Sequence, residues 1–275
     1  MLKRFRVSNF KNLLNVEFRP VGVNLLIGPN NAGKTNLCNA LRFFCGTSIG
    51  TLDESATFTL GESWNITNVN VSQKVMEMEA DVDLTVSDEC YSFNYVLKLS
   101  ADRDQAVWKQ PLKVIEEKLV VTGEAFHNHM LIENRSGAAK LTNEKASLNP
   151  GSNGRTVIES QVPPECTALS KIYDMEVNRL AMLFKRFLGN CVYFALEPRA
   201  LRNPKVVAKT PYPSSSGDNF SKFLFTVHNE NPRLERKVIE ALRVLEPKLD
   251  LLTFYNPDPD FIHFIMEDKL CYAAR

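Results

Sequence analysis

Residues 23–44, VNLLIGPNNAGKTNLCNALRFF, join an apolar run, a glycine loop and a helical repeat. The run Val23–Ile27 has the length and apolar character of a buried strand. Gly28–Thr35 fits the pattern G-x-x-x-x-G-K-[ST] at every fixed position. Apolar residues then recur at helical spacing as far as Phe44, which predicts a helix beginning at Lys34. Strand, loop and helix in this order are the context of a phosphate-binding loop (P-loop), so we expect this stretch to bind a nucleotide.

The residue types of the loop explain how it would hold phosphate. Gly28 and Gly33 allow backbone angles at which successive N–H groups turn inward around an anion. The helix that begins near Lys34 adds free N–H groups and the positive end of its dipole. The Lys34 ammonium would reach the β- and γ-phosphates, and the Thr35 hydroxyl would be placed on Mg²⁺.

The composition of the 275-residue chain is that of a globular protein of one large or two modest domains. Lys+Arg 33 against Asp+Glu 32 neither requires nor excludes a nucleic-acid partner. The six cysteines form no C-x-x-C pair, which favours reduced, structural thiols. His127 and His129 have no third ligand at a useful spacing, so a metal site there is disfavoured. With no signal peptide and no transmembrane-length stretch, we expect a cytoplasmic protein that does not enter membranes.

Two strands precede the loop. Leu2–Asn9 alternates basic and apolar side chains, and a second strand ends at Phe18, before Pro20. So short a link requires the two strands to pair antiparallel. A small-molecule or nucleoside kinase built on the same loop would start with the loop strand in an all-parallel sheet, so this alternative is disfavoured.

The opening of the chain, up to Phe44, resembles the start of RecF/SMC-like ABC-type AAA ATPases, above all the OLD and anti-phage-defence group. The shared features are the corner Asn9-Phe10-Lys11, the second strand and a G-x-N-x-[AS]-G-K-[ST] loop followed by Asn. The resemblance implies ATP and Mg²⁺ as cofactors, with Thr35 on the metal, and lets Lys11 approach the nucleotide from the corner. The residues expected at the nucleotide are Lys11, Gly28, Asn30, Asn31, Ala32, Gly33, Lys34, Thr35 and Asn36.

The predicted fold class is α+β: a mixed sheet with antiparallel strands around the P-loop helix, followed by a helical segment. Alternation predicts strands over 76–84, 91–99, 112–121 and 129–141, the last broken at Ser136-Gly137, and residues 46–72 and 142–164 read as connections. Helices are predicted over 166–188, from about 218, and from Pro232 to Pro247, before a last pair of strands near 251–255 and 261–266. We expect a β-rich first lobe over 1–165 and a mostly helical segment over 166–275.

The motifs that would complete an ATPase are not found in this sequence. Residues 191–198, CVYFALEP, imitate a Walker B strand but lack the Asp before Glu197, so we reject that assignment. No signature segment follows. Either the sequence is a fragment, or these motifs come from another chain, and a nucleotide-sensing subunit without turnover stays an alternative to the ATPase.

The resemblance also implies partners. In such ATPases ATP is sandwiched between two heads, in a homodimer or a hetero-assembly, and closure acts on double-stranded DNA or an effector nuclease, in DNA repair or antiviral defence. Six basic residues could form a face for DNA phosphates or be ordinary solvated charges. They are Lys185, Arg186, Arg199, Arg202, Lys205 and Lys209.

Overall fold

A computed structural model describes residues 1–61, 66–68, 70–71, 74–101, 112–124, 126–148, 156–202, 212–258 and 261–268. The chain divides into two compact units, Met1–Cys191 (unit 1) and Val192–Arg275 (unit 2). The lobe boundary predicted between residues 165 and 166 stays a prediction.

Unit 1 is built on an eight-stranded sheet with the order β2-β1-β3-β4-β5-β6-β7-β8. Its strands are β1 (Leu2–Phe10), β2 (Leu13–Phe18), β3 (Val75–Val86), β4 (Glu89–Ala101), β5 (Leu112–Gly123), β6 (Phe126–Arg135), β7 (Ala138–Thr142) and β8 (Val157–Gln161). Neighbouring strands in this sheet pair antiparallel, including β1 and β2. The antiparallel strands of the prediction are confirmed, whereas the described part of the sheet has no parallel pair that would make it mixed.

The described part of unit 1 also contains the α-helices α1 (Lys34–Gly46), α2 (Leu52–Leu60), α3 (Glu144–Leu148) and α4 (Arg179–Gly189). Helix α1 begins at Lys34, as predicted. Helix α2 lies where a featureless connection was expected, and its start is fixed by a capping box between Thr51 and Glu54. The sequence T-x-x-E before an apolar run was the overlooked signal.

The core of unit 1 lies between the sheet and helices α1 and α4. Phe44 of α1 packs on Phe5 and on Tyr95, with ring centroids 5.4 Å apart in both pairs. Phe184 of α4 continues the row, 5.3 Å from Tyr95 and 5.4 Å from Phe93. These rings are almost completely buried, so Phe93 and Tyr95 of β4 belong to the core.

Three further sequence predictions in unit 1 are wrong. Val23–Ile27 is not a buried strand: it has no regular secondary structure, pairs with no described strand, and leaves Val23 99% and Ile27 83% exposed. A strand needs a neighbour for its backbone groups, and no described strand lies beside this one. The helix predicted over 166–188 is a short 3-10 turn, Leu169–Lys171, followed by α4. The connection predicted over 142–164 contains α3 and β8, with residues 149–155 outside the described part.

Unit 2 contains α5 (Pro198–Arg202), α6 (Phe220–Glu230), α7 (Pro232–Leu245) and a hairpin of β9 (Leu249–Asp258) with β10 (Phe261–Asp268). The predicted helix pair and final strands are confirmed. Asn231 ends α6 and caps α7 by accepting a hydrogen bond from the backbone N–H of Leu234, and Pro232 occupies the first turn.

Candidate functional site

The P-loop residues surround the Lys34 side chain. The ammonium of Lys34 donates hydrogen bonds to the backbone carbonyls of Gly28, at 2.7 Å, and Pro29, at 2.6 Å. Carbonyl oxygens are acceptors that an anionic phosphate oxygen can replace with a stronger, charge-assisted bond. The loop therefore closes on its own lysine and keeps a cation at its centre.

Helix α1 starts with free donors. Its N-cap is Gly33, in the left-handed region at φ 95°, so no side chain caps the helix and its first turn has no acidic residue. Among the described residues, the N–H groups of Lys34, Thr35 and Asn36 have no acceptor. The first turn is thus electropositive and exposes N–H groups to a ligand, because nothing in the described chain neutralises them.

The predicted site residues differ in exposure. Gly33 is buried, Lys34 and Asn36 are half-buried, and the others in the loop are exposed: Gly28, Asn30, Asn31, Ala32 and Thr35. Asn31 takes a positive φ of 65° at the top of the loop, a conformation that Asn tolerates better than most residues. With its hydroxyl exposed on the first turn of α1, Thr35 fits a role as Mg²⁺ ligand, and the donors around it fit a polyphosphate.

The corner between β1 and β2 contacts the loop through Asn12, a residue that the sequence analysis did not select. Asn12 bonds to Asn31 and Asn36, at 2.9 and 2.8 Å. Lys11, which was expected near the nucleotide, takes a positive φ and donates its backbone N–H to Ile66. Its approach to a nucleotide stays a prediction. No local pattern marks Asn12, because its partners lie 19 and 24 residues away.

The basic residues proposed for DNA do not behave as one group. The ammonium of Lys185 donates to the carbonyls of Ser170 and Ile172, both at 2.8 Å, and stacks over Tyr173. Burial lowers the pKa of Lys185. Arg186 contacts the Met175 sulfur. Lys205, Lys209 and the side chain of Arg202 lie outside the described residues, and of the described members Arg186 and Arg199 are exposed.

At the remaining candidate sites, the described residues form neither a Walker B strand nor a metal-binding cluster. Residues 191–197 form no strand there, and Glu197 is exposed. No group of three or more metal-ligating side chains occurs among the residues that the structure describes. His127 and His129 therefore belong to no such group. Cys38, Cys45, Cys90, Cys166 and Cys191 are free thiols. No described helix combines the length and apolar character needed to cross a lipid bilayer.

Comparison with known proteins identifies the family. The family model for the AAA ATPase domain matches residues 1–176, which is more than half of the chain and includes the corner, the loop and the sheet of unit 1. A comparison with curated proteins gave no match. The chain belongs to the AAA ATPase domain family.

Proposed function

We propose that the chain binds ATP with Mg²⁺ in the loop Gly28–Thr35 and forms the nucleotide-binding portion of a RecF/OLD-like ATPase head. The observation that carries the proposal is the Lys34 ammonium, held over the Gly28 and Pro29 carbonyls beside an uncapped helix start. An anion entering this loop would gain a charge-assisted bond from Lys34 and N–H donors from the first turn. Thr35 would hold Mg²⁺, which supplies charge neutralisation at the phosphates.

The larger setting of the proposal rests on the resemblance of the first 44 residues to RecF/SMC-like ATPases. ATP would be sandwiched between two heads, in a homodimer or hetero-assembly, in the cytoplasm. Head closure would act on double-stranded DNA or on an effector nuclease, in DNA repair or phage defence. Family membership supports the ATP-binding part of this proposal.

The test of nucleotide binding uses Lys34→Ala. Because the substitution removes the only side-chain cation that the loop holds within its described residues, we expect MgATP affinity to fall by at least 100-fold while the fold is kept. Calorimetric titration of both proteins with MgATP measures the change. Lys34 is half-buried and bonds to no side chain among the described residues, so the thermal unfolding midpoint should stay close to that of the wild type.

Lys3→Ala is the matched control, since Lys3 lies on β1 and pairs with Asp83 at 3.3 Å, without contact to the loop. It should bind MgATP like the wild type. Equal affinity of Lys34→Ala and the wild type would refute the assignment of the loop.

A further inference from the structure

The turn between β1 and β2 places one side-chain amide between the P-loop and helix α1. Phe10 pairs with Leu13, so Lys11 and Asn12 form the two-residue turn of this hairpin. The Asn12 amide nitrogen donates to the backbone carbonyl of Asn31 at 2.9 Å. Its amide oxygen accepts from the Asn36 side chain at 2.8 Å. Both functional groups of Asn12 are therefore used to join the top of the loop to the first turn of the helix.

The bond to Asn31 fixes the direction of a backbone donor. The chain contains no cis peptide among the described residues, so the C=O of Asn31 and the N–H of Ala32 point in opposite directions across one planar unit. With the carbonyl held towards Asn12, the N–H of Ala32 is turned into the loop, where it donates a hydrogen bond to the Pro29 carbonyl at an N···O distance of 3.3 Å. The Lys34 ammonium donates to the same Pro29 carbonyl, at 2.6 Å, so a phosphate oxygen that replaced this carbonyl would meet both donors.

The same turn packs directly against the loop. A Cβ on Gly33 would lie 2.9 Å from the Leu13 side chain and 3.2 Å from the Asn12 amide oxygen. A side chain at this position would have to displace Leu13 and Asn12, and it would be strained at the φ of 95° that Gly33 adopts. The turn and the loop thus form one packed structure.

We propose that Asn12 is a positioning residue for a bound nucleoside polyphosphate, an inference that rests on the proposed function. Asn12 keeps the N–H of Ala32 directed at the phosphates and ties this donor to the helix that carries Lys34 and Thr35. A loop ordered before binding loses less conformational entropy when the ligand enters, which is the origin of the affinity gain. Asn12 itself touches no phosphate.

The experiment compares Asn12→Ala, Asn36→Ala and the wild type by calorimetric titration with MgATP and MgADP. We expect Asn12→Ala to weaken both ligands about tenfold, because either one places a β-phosphate in the loop. Asn36→Ala should weaken them less, since the bond from Asn12 to Asn31 is kept. Asn15→Ala is the matched control: Asn15 is an exposed asparagine on β2, bonded only weakly to Ser8, at 3.5 Å, and should bind like the wild type.

A positioning role predicts that MgATP affinity falls while the stability of the ligand-free protein stays the same. A purely structural role would lower the stability as well. Asn12 is exposed, so the ligand-free unfolding midpoint of Asn12→Ala should match that of Asn15→Ala. If the wild type binds MgATP and the affinity of Asn12→Ala lies within twofold of the wild-type affinity, the inference is overturned. Should Asn12→Ala fail to fold, Asn12→Leu, which fills a similar volume without the amide, takes its place, and wild-type affinity of that variant would overturn the inference. Absence of binding by the wild type would refute the proposed function itself.

Discussion

Glu117 is a carboxylate with no contact to water, in the middle of unit 1. One oxygen accepts from the Tyr95 hydroxyl at 3.0 Å and the Leu169 N–H at 2.9 Å. The other accepts from the Asn134 amide at 3.1 Å and the Ala168 N–H at 2.6 Å. The segment that it fixes is bonded to the end of the P-loop helix, because the hydroxyl of Thr167 donates to the carbonyl of Thr47 at 2.7 Å.

Glu117→Gln should destabilise the protein by about 2–3 kcal/mol. Each carboxylate oxygen serves one backbone N–H, so the amide NH₂ group of Gln must oppose a backbone donor in either orientation. Urea unfolding monitored by circular dichroism measures the loss. Glu116→Gln, on the same strand but in half-exposed ion pairs with Lys98 and Lys118, should cost less than about 1 kcal/mol. Equal losses in the two variants would contradict this role for Glu117.

The same variant tests a dependence on pH. Burial raises the pKa of Glu117 although its four donors oppose the shift. The folded state therefore binds the proton more tightly than the unfolded state, and this group's contribution to stability is complete below about pH 4.3 and declines as the pH rises through the folded pKa. Gln does not titrate, so the stability gap between wild type and variant should narrow as the pH is raised above about 4.3.

At the scale of elements, the sequence predicted the helices and strands whose formation depends on a local pattern of residues. Strands β3 and β4 follow a period of two that needs no knowledge of their partners, and α1 follows from the loop before it. Val23–Ile27 failed because pairing depends on a neighbouring strand, which composition does not encode. Asn12 was missed for a related reason, since its contacts join residues far apart in the chain. What could not be read from the sequence is long-range: pairing partners and side chains that reach other elements.

Helix α4 illustrates this limit. The apolar period predicted a helix from residue 166, but the Asp174 carboxylate accepts from the N–H groups of Glu176 and Val177, at 2.8 and 3.3 Å, and holds a turn instead. The helix then begins at Arg179. Its cap comes from another element, because Glu144 on α3 accepts from the N–H groups of Leu180 and Ala181.

Removing this remote cap should destabilise α4. Glu144 is buried and bonds to Leu180 at 2.7 Å and Ala181 at 3.1 Å, while the N-cap residue Asn178 offers no side-chain bond. We expect Glu144→Ala to cost about 1–2 kcal/mol of unfolding free energy, as for the loss of a good helix cap. Denaturant unfolding measures it, with Glu176→Ala as control because that side chain is 82% exposed. A cost for Glu144→Ala no greater than that of the control would show that the cap is not needed.

At the scale of the whole molecule, the exposed run Val23–Ile27 leaves apolar surface uncovered next to the proposed nucleotide site. It leads directly into the P-loop, yet its backbone groups pair with no described strand and its side chains face solvent. Apolar side chains stabilise a fold only when neighbouring residues cover them. The proposed assembly of heads would add protein next to the nucleotide. In the described residues the loop is held by carbonyl and amide groups, and no carboxylate bonds to it.

The chain on its own should therefore bind MgATP without hydrolysing it. Phosphoryl transfer depends on positioning and on charge stabilisation, and the attacking water must be oriented by a further group. The loop and Lys34 supply phosphate contacts, but no carboxylate in the described residues contacts the loop. We expect phosphate release by the purified chain to equal that of Lys34→Ala. Steady turnover that Lys34→Ala abolishes would contradict this expectation, and Glu197→Gln would then be the first variant to test for the missing acid.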